Sequence, residues 1–290
     1  YKYIEAGSKQ FLTNKVDRSV SGLVVQQQCV GPFHLPLSNL SAVKQDFSSK
    51  CMLVSAIGEQ PIKGIKNLDC IRKMVRMSVG EMISNIMWCD INYLEDINSV
   101  ANWMWSSTNA EGGYLLYEAV NTLKECSDKL GFSINGGKDS LSMNVKNNEE
   151  VINAPNSLVI SGYVVSKDIY SIVTPNLKCN DSILFYINFN GKVKGLLGGS
   201  LFERLYNMDF IVPDLEDFAL VRAIFYKIQI LIKRNIILSG HDVSDGGLIN
   251  TLCEMAYSSG IGMDIDINDN LEAIEFFFNE ELGIVFEIEY

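Results

Sequence analysis

The chain has 290 residues, 47% hydrophobic and 20% charged, with a formal net charge of −11. That composition suits two globular domains, each able to bury a core, and the acidic balance argues against nucleic acid, whose partners carry a basic stripe. No apolar run reaches the roughly 18 residues of a membrane span, and the opening "YKYIEAGSKQ" does not read as a signal peptide. Seven scattered cysteines without a Cys-x-x-Cys pair read as reduced thiols in a cytoplasmic protein. His34 and His241 are the only histidines, so a divalent metal here must be held by oxygen, which favours Mg2+ over zinc.

In chain order, residues 1–30 read as a lead-in, and "GPFHLPLSNLSAV" (31–43) as a turn entering a short strand. "MLVSAIGEQP" (52–61) is a strand that runs into a loop punctuated by Gly and Pro. From Leu68 the spacing of Ile71, Val75, Val79, Met82, Ile83 and Ile86 predicts a helix, with Ser78, Glu81 and Asn85 on its remaining face. A second helix is expected over about 113–130, stopped by Gly131. "FSI" (132–134) leads into a loop, "NGGKDSLSM" (135–143), and "NSLVISGYVV" (156–165) reads as a buried strand.

The polar "TPNLKCNDS" (174–182) is the best domain boundary. Beyond it lie a strand at 183–189, the glycine-rich "GLLGGS" (195–200), a helix over about 214–234 and a strand at 236–240. "HDVSDGG" (241–247) reads as a loop opening a helix from Leu248 to Tyr257. "MDIDI" (263–267) and "GIVFEIEY" (283–290) alternate as half-buried strands do. Strands and helices alternate in both halves, which predicts an α/β protein or α+β layers. The chain ends inside its last expected strand, as a piece of a longer protein would.

Three polar clusters could carry chemistry. Glu81 and Asn85, at i and i+4, can reach one ion together, although the same spacing also describes an exposed polar stripe. "SGHDVSDGGL" (239–248) offers Asp242, Ser244 and Asp245 where free backbone N–H groups open a helix; a plain N-cap is the alternative. In 135–143, Gly136 and Gly137 would let a ligand approach the backbone, Lys138 offers a charge, and Ser140 and Ser142 offer hydroxyls. A β-turn explains that stretch equally well. Asp139 stands where a standard phosphate loop has Ser or Thr.

Electrostatics links the clusters. Two like charges at about 4 Å repel by about 4 kcal/mol at an effective dielectric of about 20. A helix N-terminus returns only about 0.3–1 kcal/mol. Phosphate beside Asp139, Asp242, Asp245 and Glu81 therefore needs divalent cations between, and the residues alone point to a Mg-nucleotide site.

The wording of the segments goes further. "TNKVDRSVSGLVVQQQCVGPFHLPL" (13–37), "GEQPIKG" (58–64), "VGEMISN" (79–85), "NWMW" (102–105), "GGKDSLSM" (136–143), "SLVISGYVV" (157–165), "VTPNL" (173–177) and "SGHDVSDGGL" (239–248) occur in that order. Together they closely resemble the large single-chain, eukaryote-like form of phosphoribosylformylglycinamidine synthase, from about Phe11 to the end. "NWMW" and "QQQCVGP" argue against a selenophosphate or thiamine-monophosphate kinase type of the same fold.

The resemblance implies an aminoimidazole-ribonucleotide-synthetase-like fold: an N-terminal barrel-forming sheet domain followed by a C-terminal α/β domain. It implies the second of two synthetase repeats, with 1–30 left from the preceding repeat, 31–176 the N-terminal domain and 177–290 a truncated C-terminal one. The implied reaction is ATP-dependent conversion of formylglycinamide ribonucleotide to its amidine in purine synthesis, using ammonia that a glutaminase domain, absent here, cuts from glutamine. Alone, the chain is then expected to be inactive, or to be a non-catalytic nucleotide-binding module.

Residue by residue, the resemblance puts Mg2+ ligands at Glu81, Asn85 and Asp242, with Asn39 where the family has Asp. It puts an ATP or ADP contact at Ser244; Ser38, Gly136, Gly137 and Ser140 are further candidate nucleotide contacts, and Lys138, whether toward substrate or nucleotide, and Asp139 are the candidate catalytic residues. In the family this half's nucleotide is an auxiliary, structural ADP. No membrane or nucleic-acid partner is implied.

Overall fold

The computed structural model describes residues 6–13, 22–107, 110–147, 150–266 and 272–290. Residues 14–21 of the first resemblance segment lie outside them. The elements in order are α1 (Gln10–Thr13), β1 (Val24–Gln26), β2 (Ser41–Lys44), β3 (Met52–Glu59), α2 (Leu68–Ile86), β4 (Asn98–Met104), α3 (Ala110–Leu130), β5 (Ser133–Ser140), β6 (Asn144–Asn147) and β7 (Glu150–Asn153). Then follow β8 (Ser157–Ser166), β9 (Ser182–Asn188), α4 (Leu201–Tyr206), α5 (Phe218–Lys233), β10 (Ile237–Val243), α6 (Gly247–Ser259), α7 (Ala273–Phe278) and β11 (Gly283–Glu289). A 3-10 turn covers Pro61–Gly64.

One sheet has the order β1-β2-β3-β8-β4-β5, and a second has β10-β11-β9. All neighbours run antiparallel except β4 and β5. β1 falls within 1–30 yet pairs with β2. The strands β3, β4 and β8 alternate buried with more exposed positions, so one face of the first sheet is a core face. Met52, Val54 and Ala56 of β3 and Leu158, Ile160 and Val164 of β8 lie in that core with α2. The other face leaves Leu53, Ile57 and Val165 exposed.

α2 is covered on most sides, with twelve of its nineteen residues buried. That pattern marks a helix covered on more than one side. It packs on β3 and β8 of the first sheet and on β10 of the second. Two glycines allow this. A Cβ on Gly58 of β3 would fall 2.1 Å from the Ser78 carbonyl oxygen of α2. A Cβ on Gly240 of β10 would fall 2.2 Å from the Trp88 ring, just past the end of α2.

The connector over 174–182 is tied to the second sheet by Glu287, which is wholly buried on β11. Its carboxylate accepts the Lys178 N–H at 2.9 Å, the Cys179 N–H at 3.0 Å, and the Ser182 and Ser239 hydroxyls, each at 2.8 Å. In the C-terminal half, two elements differ from expectation. "MDIDI" forms no strand over the described residues 263–266, and Ile267 lies outside them. The strand expected to stop at 240 continues through Val243, because Asp242 and Val243 still pair with Ile284 and Gly283.

Gly58→Ala drives a methyl into the backbone of α2. We expect it to cost about 1–3 kcal/mol of unfolding free energy or more, read from urea denaturation. A variant as stable as the parent would contradict this packing.

Candidate functional site

α2 presents Glu81 and Asn85 to the end of β3. Glu81 Oε2 accepts the Glu59 N–H at 2.7 Å, and Asn85 Nδ2 donates to the Ile57 carbonyl at 3.1 Å. The pair is therefore braced against a strand and half-buried, not a solvated stripe. Burial pushes the Glu81 carboxyl well above the usual range, and the nearby charges of Asp242 and Asp245 push it further. The Glu59 N–H and the Gln60 side chain oppose that push by hydrogen-bonding the carboxylate.

Asp242 comes from β10, which α2 touches, and is 4% exposed. Beside it stands His241, whose two ring nitrogens both face acceptors. Nδ1 lies 2.5 Å from Asn39 Oδ1 and 3.1 Å from Asp242 Oδ1, and Nε2 lies 3.1 Å from Glu254 Oε2. Burial pulls the His241 pKa down, but hydrogen bonds to Asp242 and Glu254 outweigh it and raise it to about 9. The ring is thus a buried cation at neutral pH. Asn39 also donates from Nδ2 to the Gly240 carbonyl at 2.9 Å. Its side chain serves the protein on both sides.

The opening of α6 holds a different anion from the one the sequence suggests. Glu280 Oε1 accepts the Gly246 N–H and the Leu201 N–H, each at 2.9 Å. Its Oε2 meets Lys63 Nζ at 2.9 Å. Both side chains are about 2% exposed. Burial lowers the Lys63 pKa, yet Glu280, Asp245 and Glu81 together outweigh it and the net direction is up. The protein's own carboxylate thus sits where helix-opening N–H groups would meet a phosphate. Ser244 is half-buried in the same turn, where its carbonyl accepts the Gly247 N–H. Ser38, next to Asn39, turns its hydroxyl to the Leu40 carbonyl at 2.7 Å.

The expected loop at 135–143 is mostly a strand. β5 runs parallel to β4, with Gly136 opposite Val100, Gly137 opposite Ala101 and Lys138 opposite Asn102. Neither glycine has a positive φ. Pairing with β4 at the sheet edge holds the stretch extended despite its glycines. Lys138 and Asp139 are exposed, and Lys138 Nζ contacts Ser140 Oγ.

Glu59, Val159, Asn102 and Lys138 stand in one row across β3, β8, β4 and β5. Three strand spacings separate Glu59 from Lys138, about 14 Å. The structure therefore joins Asn39 and Asp242 through His241, sets Glu81 within range of the Asp242 charge with Asn85 one turn along α2, and keeps Ser244 two residues from Asp242; Gly136, Gly137, Lys138, Asp139 and Ser140 lie apart, along the edge strand β5.

The cluster around Glu81 and Asp242 suits a divalent cation in kind. Its donors are hard oxygens, and buried Gln60 Oε1 has no hydrogen-bond partner. Among the described residues, no three His, Cys, Asp or Glu side chains converge enough to hold an ion alone. Mg2+ is ordinarily held by one or two carboxylates completed by water and phosphate oxygens. Glu81 and Asp242 meet that need; Asn39, engaged with His241 and Gly240, does not.

Gln60, Lys63, Glu280 and His241 carry much of the site and were not singled out from sequence for these roles. The "GEQPIKG" segment was the available signal for Gln60 and Lys63. We expect Lys63→Met to cost about 3–5 kcal/mol in urea denaturation, because it leaves Glu280 buried without its counter-ion. The double change Lys63→Met with Glu280→Gln should recover part of that loss; no recovery would contradict the pairing.

Residues 8–165 match the FGAR-AT PurM_N-like domain family, and residues 189–288 match the AIR synthase related protein, C-terminal domain. A probable phosphoribosylformylglycinamidine synthase, chloroplastic/mitochondrial, of Arabidopsis thaliana is 42% identical over 97% of this chain and 20% of its own length. The phosphoribosylformylglycinamidine synthase of Homo sapiens is 38% identical over 97% of this chain and 21% of its own. The chain thus spans about a fifth of the curated relatives it matches.

Among solved structures, T. maritima PurL complexed with FGAR has a TM-score of 0.63 at 11% identity, over 90% of this chain and 41% of that one. T. maritima PurL complexed with ATP has 0.58 at 12%, over 97% and 40%. At such identity the likeness shows the fold, an N-terminal sheet domain followed by a C-terminal α/β domain. Among the described residues no helix is long and apolar enough to cross a membrane. With more than half its length matched by the first family and its relatives named alike, the chain belongs to the phosphoribosylformylglycinamidine synthase family.

Proposed function

We propose that this chain is the second synthetase repeat of a formylglycinamide ribonucleotide amidotransferase and holds a Mg-nucleotide between its two sheets. The observation that carries this reading is that α2 braces Glu81 against the Glu59 N–H while the Asp242 and Asp245 charges bear on its buried carboxyl. When bound, Mg2+ would neutralise them and the nucleotide phosphates. Glu81, Asn85 and Asp242 would hold it, and Ser38 and Ser244 would face the nucleotide. The domains divide at about 176, with 1–30 belonging to the preceding repeat.

The row that ends at Lys138 has a separate part. Asn102 Oδ1, opposite Lys138, has no hydrogen-bond partner. Lys138 and Asp139, with Gly136, Gly137 and Ser140, would line the cleft shared with the first repeat and contact formylglycinamide ribonucleotide, which PurL of T. maritima binds. There ammonia from a glutaminase domain would displace phosphate from the activated amide. The seven free cysteines support a reducing compartment such as the cytoplasm.

A second reading, a non-catalytic nucleotide-binding module, draws on Asn39. Its hydrogen bonds to His241 and Gly240 leave a cation short of one carboxylate, as an auxiliary site could tolerate.

Lys138→Ala in the full-length synthase separates the readings. Loss of turnover with ADP still bound supports a catalytic Lys138; unchanged turnover would contradict it. In the same protein, Asn39→Asp should tighten Mg-dependent ADP binding by roughly tenfold, measured by calorimetry. Equal affinities would remove residue 39 from the cation's surroundings.

A further inference from the structure

Among the described residues near Glu81, Gln60 is a deeply buried polar side chain with an atom left over. It joins β3 to the 3-10 turn of Pro61–Gly64, is 3% exposed, and its Oε1 has no hydrogen-bond partner. Its side chain is hydrogen-bonded to Glu81. An ionised carboxylate only accepts, so the amide turns Nε2 to Glu81 and leaves Oε1 facing elsewhere. A buried carbonyl oxygen without a donor calls for a partner, and native structures rarely leave one.

The internal cations are already engaged. Lys63 Nζ lies against Glu280, and His241 spans Asn39, Asp242 and Glu254. The oxygen of Asn39 is occupied by His241. Among the described residues around Glu81, Asn85 keeps its amide oxygen free while its Nδ2 bonds the Ile57 carbonyl, and Gln60 adds a second amide oxygen, buried and without a partner.

We propose that Gln60 supplies a neutral oxygen ligand to the divalent cation held by Glu81 and Asp242, while its amide N–H fixes the Glu81 carboxylate. This rests on the Mg-nucleotide reading above. Gln60 thus takes the place that Asn39 cannot fill, and one side chain both orients a ligand and completes the set. Such support from a residue beside a metal ligand is ordinarily worth about 10–100-fold in metal affinity.

The test is titration of the protein with Mn2+, free Mn2+ being read by electron paramagnetic resonance, with and without ADP. Gln60→Leu removes both amide functions, and Gln60→Glu keeps an oxygen in place. Gln60→Leu should weaken Mn2+ binding by roughly tenfold or more without lowering the unfolding midpoint in metal-free buffer. Gln60→Glu should bind at least as tightly as the parent. The inference is overturned if Gln60→Leu binds as the parent does, or if both variants weaken equally. A parent that binds no Mn2+ would overturn the Mg-nucleotide reading itself, an outcome distinct from both.

Discussion

The close approach of α2 to two backbones is the constraint on which the rest of the structure depends. Gly58 lets the helix lie against β3, and Gly240 lets Trp88 lie against β10. With the helix wedged between the sheets, Glu81 meets the Glu59 N–H and comes within reach of the Asp242 charge. A side chain larger than hydrogen at either glycine would separate elements that are far apart in sequence. The same packing that fills the core thus places the acids.

Having gathered acids, the fold must balance them. It does so with two buried cations, each given to a specific partner. Lys63 faces Glu280, whose other oxygen closes the opening of α6 and the start of α4. His241 bridges Asn39, Asp242 and Glu254. Unpaired, any of these charges would be costly to bury. Glu81, near the Asp242 and Asp245 charges, makes no ion pair among the described residues, and its carboxyl, held well above the usual range by burial and by those neighbours, gives the site its chemical character.

Much of this was legible in sequence because it is local. The apolar spacing of 71–87 marks α2, and the i, i+4 pair of Glu81 and Asn85 follows from it. The turn at 244–247 announces α6. The misreadings came where distant pairing overrode local chemistry. "NGGKDS" has turn-like composition but is held extended by β4, and "HDV" continues β10 because β11 runs beside it. Burial of Lys63 could not be read from its neighbours, since its partner Glu280 lies 217 residues away. Likewise, Asn39 stands where the resemblance puts an Asp; only the fold reveals that His241, 202 residues on, occupies it.

Anomalous diffraction from crystals grown with Mn2+ and ADP tests the central claim most directly. The account predicts a Mn2+ peak between Glu81 and Asp242, with the ADP phosphates against the turn that carries Ser244. An ordered ADP elsewhere, or a site whose Glu81 and Asp242 carboxylates show no Mn2+ peak with ADP bound, would contradict it.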